Sequence, residues 1–385
     1  MRSSRRAFVV VLDACGAGAT PDAADYGDAA ANTLGHLAEA VGGLRLPALQ
    51  ELGLGSILPL TGVAPARTPV VHGRLHPLGP GKDSTTGHWE LMGVVASTPP
   101  PTYPTGFPAE IVDALRAGTG RAILGNAACN GVEAIERFGV EALRIGGLIV
   151  YTSQDSVLQI AAHVDRVDPD ELYAACRAAR RLMSGRHAVS RVIARPFEGE
   201  PGVFHRTLGR RDYALPPPGR SYLQELGERG MPVHGVGKMA ELFAHVGLHH
   251  DHHAPTNATA VAHVSRLVAE LDGGLAFANL VETDQVYGHR KDVDGFARAL
   301  GEIDTAVGAW VDALRPGDLM VLTADHGCDP TTPGTDHTRE HAPLLARFEG
   351  HRGRRHDGPL ADVGASVLDW LAGARADLPG SSFVS

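Results

Sequence analysis

The stretch FVVVLDACG, residues 8–16, decides the fold because an apolar, β-branched run ends abruptly at a carboxylate, Asp13. Short runs of this kind are typical of strands buried on both faces of a sheet. Similar runs recur as GLIVY (147–151), VSRVIA (189–194), VHGVG (233–237), AFANLV (276–281) and LMVLT (319–323). Segments with helical spacing separate several of them, such as residues 258–271 and 295–314. This alternation predicts an α/β fold with a mainly parallel sheet core and helices on both faces.

Two proline-rich patches interrupt the pattern, STPPPTYPTGFP at 97–108 and ALPPPGR at 214–220. Such runs exclude helix and favour extended linkers. We therefore predict a discontinuous core formed by residues 1–97 and 216–385, with a smaller inserted α/β domain at residues 98–215. The alternative interpretation is two ordinary surface loops within one domain.

Composition narrows the class of protein. The formal net charge of -9 argues against a nucleic-acid partner, which needs a concentrated basic face, and against anionic membrane. Four scattered cysteines form no disulfide framework and suit a reducing compartment. The first apolar run is too short for a signal peptide, and no other run is long enough to span a bilayer. We expect a cytoplasmic protein without membrane or nucleic-acid partners.

Aspartates and histidines cluster just after three of the predicted strands. Asp13 follows the first strand, and Asp325 and His326 follow LMVLT, with His337 a little further on. The strand AFANLV leads to Asp284 and His289. A single aspartate at a strand end is usually a turn or cap residue. Six carboxylate and imidazole groups in three such places instead predict a site for two divalent metals, Mn²⁺ or Zn²⁺ rather than Ca²⁺.

A candidate nucleophile lies in GKDSTTGHWE, residues 81–90, where Ser84, Thr85 and Thr86 stand in a row. HWELM could begin a helix after them, and free N–H groups at a helix N-terminus favour phosphate. Composition alone does not distinguish the three hydroxyls. For Lys82 and His88, which flank them, helix-end packing and surface charge are the favoured interpretation.

These stretches resemble the bacterial phosphopentomutases, members of the alkaline phosphatase superfamily related to cofactor-independent phosphoglycerate mutases. The resemblance rests on these motifs in order: LDACGAGATPDA (12–23), GKDSTTGHWE (81–90), LIVYTSQDSVLQIAAH (148–163), FHRT (204–207), RRDYAL (210–215), LVETDQVYGHRKD (280–292) and TADHGCDPTTPGTDHTRE (323–340). It implies a core of alkaline-phosphatase type with an inserted cap domain that closes over the site. It also implies two Mn²⁺ ions per chain.

The resemblance also implies a role for individual residues. Ser84 corresponds to the nucleophile, a position where the family usually has threonine. The implied metal ligands are Asp13, Asp325 and His326 for one ion and Asp284, His289 and His337 for the other. The implied sugar-phosphate contacts are Ser153, Asp155, Val157, Arg191, Ile193, Arg206 and Lys238.

The activity implied is the interconversion of ribose 1-phosphate and ribose 5-phosphate, and of the 2-deoxyribose pair. It would pass through phosphoserine and a sugar bisphosphate, with a sugar bisphosphate as primer. The expected partners are small pentose phosphates, and we expect a monomer or weak oligomer. The histidine-rich segment GLHHDHHAP at 247–255 matches no role in the family.

Other functions fit less well. A phosphoglycerate mutase, phosphatase or phosphodiesterase would share the metals but not the motifs of the inserted domain. A non-catalytic relative should lack a ligand or the nucleophile, and none is missing here. A dinucleotide-dependent dehydrogenase is disfavoured because ACGAGAT, residues 14–20, lacks G-x-G-x-x-G spacing after the first strand.

Overall fold

The computed structural model describes residues 5–153 and 156–385. The strands are β1 (Arg6–Leu12), β2 (Val71–His76), β3 (Ile123–Ala128), β4 (Leu148–Thr152), β5 (Val157–His163), β6 (Arg191–Glu198), β7 (His205–Arg206), β8 (Arg211–Ala214), β9 (Val233–Val236), β10 (His250–His252), β11 (Gly274–Leu280), β12 (Asp318–Thr323), β13 (Ala342–Arg347) and β14 (Gly358–Pro359).

The helices are α1 (Thr33–Ala40), α2 (Pro47–Leu52), α3 (Leu54–Ile57), α4 (Ser84–Leu91), α5 (Ala109–Thr119), α6 (Gly131–Ile145), α7 (Pro169–Leu182), α8 (Tyr222–Glu228), α9 (Met239–Leu242), α10 (Asn257–Glu270), α11 (Val293–Ala313) and α12 (Asp362–Ala372). A π-helix covers Thr283–Gly288.

The chain divides into two compact units. The first contains residues Met1–Thr98 and Pro217–Ser385, and the second, which we call the inserted unit, contains Pro99–Pro216. Each unit has its own sheet and its own hydrophobic core, and the two are described separately.

The sheet of the first unit has eight strands in the order β10-β9-β11-β1-β12-β13-β2-β14. The central strands β11, β1 and β12 run parallel, so their carboxyl ends lie at one edge. Among the described strands of this sheet, β13 alone runs antiparallel to both of its neighbours, β12 and β2. The prediction of an α/β fold with a mainly parallel core sheet is therefore confirmed.

Burial explains why β1 occupies the centre of this sheet. All of its residues are buried, as expected for a strand covered on both faces. Arg6 at its beginning forms a buried ion pair with Asp318 of β12 and donates a hydrogen bond to the carbonyl oxygen of Val268 at 2.7 Å. These contacts satisfy the charge and fix the register of the strand that leads to Asp13.

The inserted unit is built on a sheet ordered β3-β4-β5-β6-β7, with β8 also paired to β6. One face packs against α5 and α7, and the other packs Ile149, Tyr151, Ala161 and Phe197 with apolar residues of α6. Strand β5 was not among the apolar runs identified in the sequence, although all of its residues are buried.

Within the described residues, no helix combines the length and apolar character needed to cross a bilayer.

Candidate metal and phosphoryl-transfer site

Three buried aspartates meet at the carboxyl edge of the first unit's sheet. Asp13 follows β1, Asp325 follows β12, and Asp284 lies in the π-helix after β11. Because these strands are adjacent and parallel, their following residues converge at one place. The sheet thus brings together carboxylates that are far apart in the sequence.

Asp13, Asp325 and His326 form a first group of possible metal ligands. The Nε2 atom of His326 lies 3.5 Å from Oδ1 of Asp13 and 3.3 Å from Oδ2 of Asp325. Nδ1 of His326 lies 3.0 Å from the carbonyl oxygen of Gly327 and is positioned to donate to it. That bond fixes the tautomer and leaves the Nε2 lone pair facing the carboxylates, as a metal-binding histidine requires.

Asp284 joins the second pair of histidines. Its Oδ2 lies 3.4 Å from Nε2 of His289, and its Oδ1 lies 3.5 Å from Nε2 of His337. The donor atoms fall into two groups, each within 4.8 Å: Asp284 with His289 and Cys328, and Asp284 with His326 and His337. All six predicted ligands are therefore close together, and the His337 ring lies near both the His326 ring and the His289 ring, at centroid distances of 4.1 and 4.7 Å.

The three aspartates differ in how far neighbouring groups of the protein balance their charges. Burial raises the pKa of Asp13 well above its usual range, and the carboxylates of Asp325 and Asp284 raise it further. Burial opposes ionisation of Asp325 too, but His326 and His88 bring its pKa down to about 2. Despite burial, contacts with His289 and His337 hold the pKa of Asp284 well below its usual value.

Several donor atoms at this place make no hydrogen bond of good geometry among the described residues, although histidine nitrogens lie within 3.0–3.5 Å of the carboxylate oxygens. They are Oδ1 of Asp13, Oδ1 of Asp284, Oδ2 of Asp325 and Nε2 of His337, all buried. Leaving such atoms unpaired is costly, and together they offer the oxygen and imidazole donors that divalent transition metals accept. The residues present therefore fit a divalent-metal centre.

Ser84 begins α4, and its hydroxyl oxygen lies 3.0 Å from Nε2 of His326. Asp83 caps the helix by accepting from the backbone amides of Thr85 and Thr86, and the Thr86 hydroxyl donates back to Asp83. Thr85 and Thr86 are buried, whereas Ser84 is partly exposed. The Ser84 hydroxyl is directed at the aspartate–histidine cluster, whereas the Thr86 hydroxyl is bonded to Asp83.

His88 connects this helix to the metal centre and is a residue whose role the sequence did not reveal. Its Nδ1 lies 2.8 Å from the carbonyl oxygen of Ser84 and 3.0 Å from Oδ2 of Asp325. Gly87 permits this approach, because a Cβ there would come within 2.4 Å of the Asp325 carbonyl oxygen. The helix carrying Ser84 is thus packed directly on a ligand residue.

Two further supporting residues were missed in the sequence. Asn279 of β11 donates from Nδ2 to Oδ2 of Asp13 at 3.0 Å, leaving Oδ1 to face the centre. Cys328 places its sulfur 4.0 Å from Nδ1 of His289. The only sequence signals were a polar residue inside the apolar run AFANLV and a cysteine two residues after His326.

Ion pairs hold the loop before Ser84. Lys82 forms ion pairs with Asp28 at 3.0 Å and Asp336 at 3.3 Å. Arg339 donates to the Gly81 carbonyl oxygen at 2.6 Å and pairs with Asp22. Lys82 is therefore engaged with two carboxylates, and its contacts tie the loop before Ser84 to the segment that carries His337.

The predicted sugar-phosphate contacts lie mostly in the inserted unit. Arg191 and Ile193 lie on β6 and Arg206 on β7, while Ser153 directly follows β4 and Val157 begins β5. Asp155 lies outside the described residues. Lys238 belongs to the first unit, where it follows β9 and its positive charge lowers the pKa of Asp13.

Comparison with known proteins first defines the class. The model of the Metalloenzyme superfamily matches residues 5–373. A phosphopentomutase of Anaeromyxobacter dehalogenans is 49% identical over 99% of this chain and 99% of its own. One of Caldanaerobacter subterraneus is 45% identical over 95% of this chain and 94% of its own. The chain belongs to the phosphopentomutase family, a family of metal-dependent isomerases.

Solved structures show more distant similarity. A structure of Leishmania mexicana phosphoglycerate mutase is 15% identical, covers 98% of this chain and 97% of its own, and has a TM-score of 0.48.

Proposed function

We propose that this enzyme interconverts the 1-phosphate and 5-phosphate of ribose, and of 2-deoxyribose, with Ser84 carrying the phosphoryl group between the two positions. One observation carries the proposal: the partly exposed Ser84 hydroxyl lies 3.0 Å from His326, among carboxylate and imidazole groups suited to metals. Relatives that align over nearly the whole chain are named phosphopentomutase, and that name is the basis for pentose phosphates as substrates.

The metal ions would be two Mn²⁺, held by six residues of the first unit: Asp13, Asp325, His326, Asp284, His289 and His337. When bound, they supply positive charge that stabilises the transferring phosphoryl oxygens and lowers the pKa of the serine hydroxyl. The protein's own contribution is to fix each ligand, as the bond from His326 to the Gly327 carbonyl oxygen and the bond from Asn279 to Asp13 do.

Ser84 is well placed to carry a phosphoryl group. As the first residue of α4, it stands at the helix end where the macrodipole favours negative charge. The cap made by Asp83 and Thr86 fixes that first turn, and His88 holds the Ser84 carbonyl oxygen. The hydroxyl is thereby held in position, so that little ordering is needed before transfer.

The reaction consists of two transfers. In the first, a free hydroxyl of the bound pentose phosphate forms a bond to phosphorus as the bond to Ser84 Oγ breaks, and the hydroxyl loses its proton. This produces a sugar bisphosphate. In the second, Ser84 Oγ attacks the other phosphate, and the released sugar oxygen takes up a proton. No water is consumed, and a sugar bisphosphate can prime an unphosphorylated serine.

The sugar-phosphate contacts of the family are proposed for this chain at Ser153, Asp155, Val157, Arg191, Ile193, Arg206 and Lys238. A guanidinium matches a phosphate with two parallel hydrogen bonds, which makes Arg191 and Arg206 chemically suitable.

A coupled assay tests the proposal. Ribose 1-phosphate, Mn²⁺ and a catalytic amount of ribose 1,5-bisphosphate should give ribose 5-phosphate, and a chelator should stop the reaction. Release of inorganic phosphate without ribose 5-phosphate would indicate a phosphatase and overturn the proposal. Absence of both products under these conditions would overturn it as well.

A further inference from the structure

A second charged cluster lies on one face of the inserted unit's sheet. Tyr151 of β4 pairs with Gln159 of β5, which places both side chains on the same face. Arg195 of β6 donates from Nε to the side-chain oxygen of Gln159 at 3.2 Å. Gln159 therefore orients the guanidinium of Arg195 on the face that carries Tyr151.

Arg206 of β7 reaches the same place from the sheet edge. A Cβ built on Gly131, the first residue of α6, would come within 2.0 Å of Nη2 of Arg206 and 2.4 Å of the hydroxyl oxygen of Tyr151. Both polar groups therefore lie against the backbone of Gly131. The start of a helix of this length adds a favourable field for an anion.

The guanidinium groups of Arg195 and Arg206 have no ion-pair partner among the described residues. Within residues 5–153 and 156–385, no ion pair joins an acidic side chain to Arg195 or Arg206. The nearby carboxylate of Asp212 is shared by Arg210, at 2.7 Å, and Arg191, at 3.7 Å. Burial lowers the pKa of Arg195, and the charges of Arg210 and Arg206 lower it further. The cluster therefore carries excess positive charge.

The hydroxyl of Tyr151 gives a second, independent indication. The side chain is completely buried, and its oxygen has no hydrogen-bond partner among the described residues. Burial raises the pKa of Tyr151, so the hydroxyl stays protonated and can donate. A buried hydroxyl without a partner costs free energy that a phenylalanine at this position would avoid.

We propose that Tyr151, Arg195 and Arg206 form a binding site for a phosphate monoester. A phosphate dianion has three terminal oxygens and enough charge to satisfy two guanidiniums and a phenol at once, whereas a carboxylate matches one guanidinium fork. The site adds Arg195 and Tyr151 to the contacts expected from the family. That the bound group belongs to a pentose phosphate rests on the proposed function; the site itself rests only on the contacts above.

Calorimetry on the full-length Ser84→Ala protein with Mn²⁺ tests this site without turnover. The ligands are ribose 5-phosphate, inorganic phosphate and ribose. Arg195→Gln should raise the Kd for ribose 5-phosphate roughly 10- to 100-fold, and Tyr151→Phe about 3- to 10-fold, the range expected for lost bonds to a charged group. Arg144→Gln, which removes an exposed arginine paired with Glu141, is the matched control and should leave the Kd unchanged.

Thermal unfolding separates binding from a structural role. Tyr151→Phe should keep or raise Tm, because the lost hydroxyl has no partner, while it weakens phosphate binding. A lower Tm with unchanged binding of both phosphate ligands in Tyr151→Phe and Arg195→Gln would overturn the site. Weaker binding of inorganic phosphate alone would support the site and assign it to another phosphate ester. That outcome is distinct from failure of the mutase assay, which concerns Ser84 and its product.

Discussion

The metal centre and the arginine cluster each concentrate side chains of like charge, negative in the first and positive in the second. The first concentrates three carboxylates, Asp13, Asp284 and Asp325, in a buried place, and the second concentrates Arg195, Arg206 and Arg210 around a buried phenol. In each, burial and then neighbouring like charges shift a pKa, upward for Asp13 and downward for Arg195. Like charges are kept together at such a cost where a ligand of opposite sign relieves them.

The two regions differ in how completely side chains of opposite charge neutralise the concentrated charges. In the metal centre, histidines pair with the carboxylates, and Asp284 brings the pKa of His289 up to about 11. In the arginine cluster, Asp212 compensates Arg210 and Arg191 but no carboxylate of the described residues pairs with Arg195 or Arg206. A metal must therefore displace a proton from His289 to bind there, whereas an anion meets guanidiniums that are already charged.

The largest effect on turnover is expected from replacing Ser84, a change that alters neither the aspartates of the metal centre nor the arginines of the second cluster. Ser84→Ala should lower mutase turnover by a factor on the order of 10⁶, because it removes the proposed nucleophile of a covalent mechanism. Metal content should not change. After incubation with ribose 1,5-bisphosphate, mass spectrometry should locate phosphate on Ser84 in the parent and nowhere on residues 84–86 in the variant.

Ser84→Thr is the matched control, because it keeps a hydroxyl at the position where the family usually has threonine. It should retain phosphorylation and most of the turnover. Phosphate found on Thr85 or Thr86 in the parent would refute the assignment to Ser84. We do not expect it, because both threonines are buried and the Thr86 hydroxyl is bonded to Asp83.

The next largest effect is expected for Asp13 and Asp284, which should differ in their contribution to the stability of the metal-free fold. Asp13→Asn and Asp284→Asn should each lower turnover by about 10²- to 10³-fold, since each removes charge from the transferring site. Their effects on the metal-free fold should be opposite. The raised pKa of Asp13 means that its ionised form destabilises the fold, whereas the lowered pKa of Asp284 reflects stabilising contacts with His289 and His337.

Thermal unfolding with a chelator at pH 7 measures that difference. Asp13→Asn should raise Tm and Asp284→Asn should lower it. The sign follows from proton binding: stability contributed by Asp284 is present above its ordinary pKa and is lost as pH falls, while Asp13 loses stability as pH rises toward its raised pKa. Equal shifts of Tm in the two variants would show that the two carboxylates do not differ in this way.

The clustering of the predicted metal ligands could be anticipated from the sequence because each of these residues follows a strand or lies in a short loop after it. Apolar runs revealed β1, β11 and β12, and parallel strands bring their carboxyl ends to one edge. Asn279 and His88 were not predictable in the same way. Their roles depend on cross-strand register and on the distance between α4 and Asp325, which pattern alone does not define.

The arginine cluster was less predictable for a physical reason. Arg191, Arg195, Arg206 and Arg210 look alike in the sequence, and long side chains at a sheet edge are usually solvated. Only the structure separates Arg195, oriented by Gln159, from Arg210, paired with Asp212. The family resemblance pointed to Arg191 and Arg206 but gave no signal for Tyr151, which reads as an ordinary apolar strand residue.

A smaller effect is expected where the nucleophile helix meets the metal centre. His88→Ala should reduce turnover and metal affinity about 10- to 100-fold, as for other groups that orient a ligand. His88→Asn offers an amide N–H near the position of Nδ1 and should recover part of that loss, whereas His88→Gln should not. Titration of Mn²⁺ measures the affinity. Similar defects in the Asn and Gln variants would indicate that His88 acts only by filling space.

The smallest effect tests the arginine cluster without changing any charge. Gly131→Ala puts a methyl group where Arg206 and the Tyr151 hydroxyl approach, so Arg206 has to move. We expect a rise in KM for ribose 1-phosphate of roughly 3- to 10-fold, the loss of about one hydrogen bond, with metal content unchanged. The folded protein should lose little stability, because alanine favours helix over glycine by up to about 1 kcal/mol and this offsets the cost of moving the flexible Arg206 side chain. Gly118→Ala, in α5 with no atom within 4 Å of its Cβ position, is the control for that helix effect. If Gly131→Ala and Gly118→Ala gave the same KM, the approach of Arg206 to Gly131 would have no part in substrate binding.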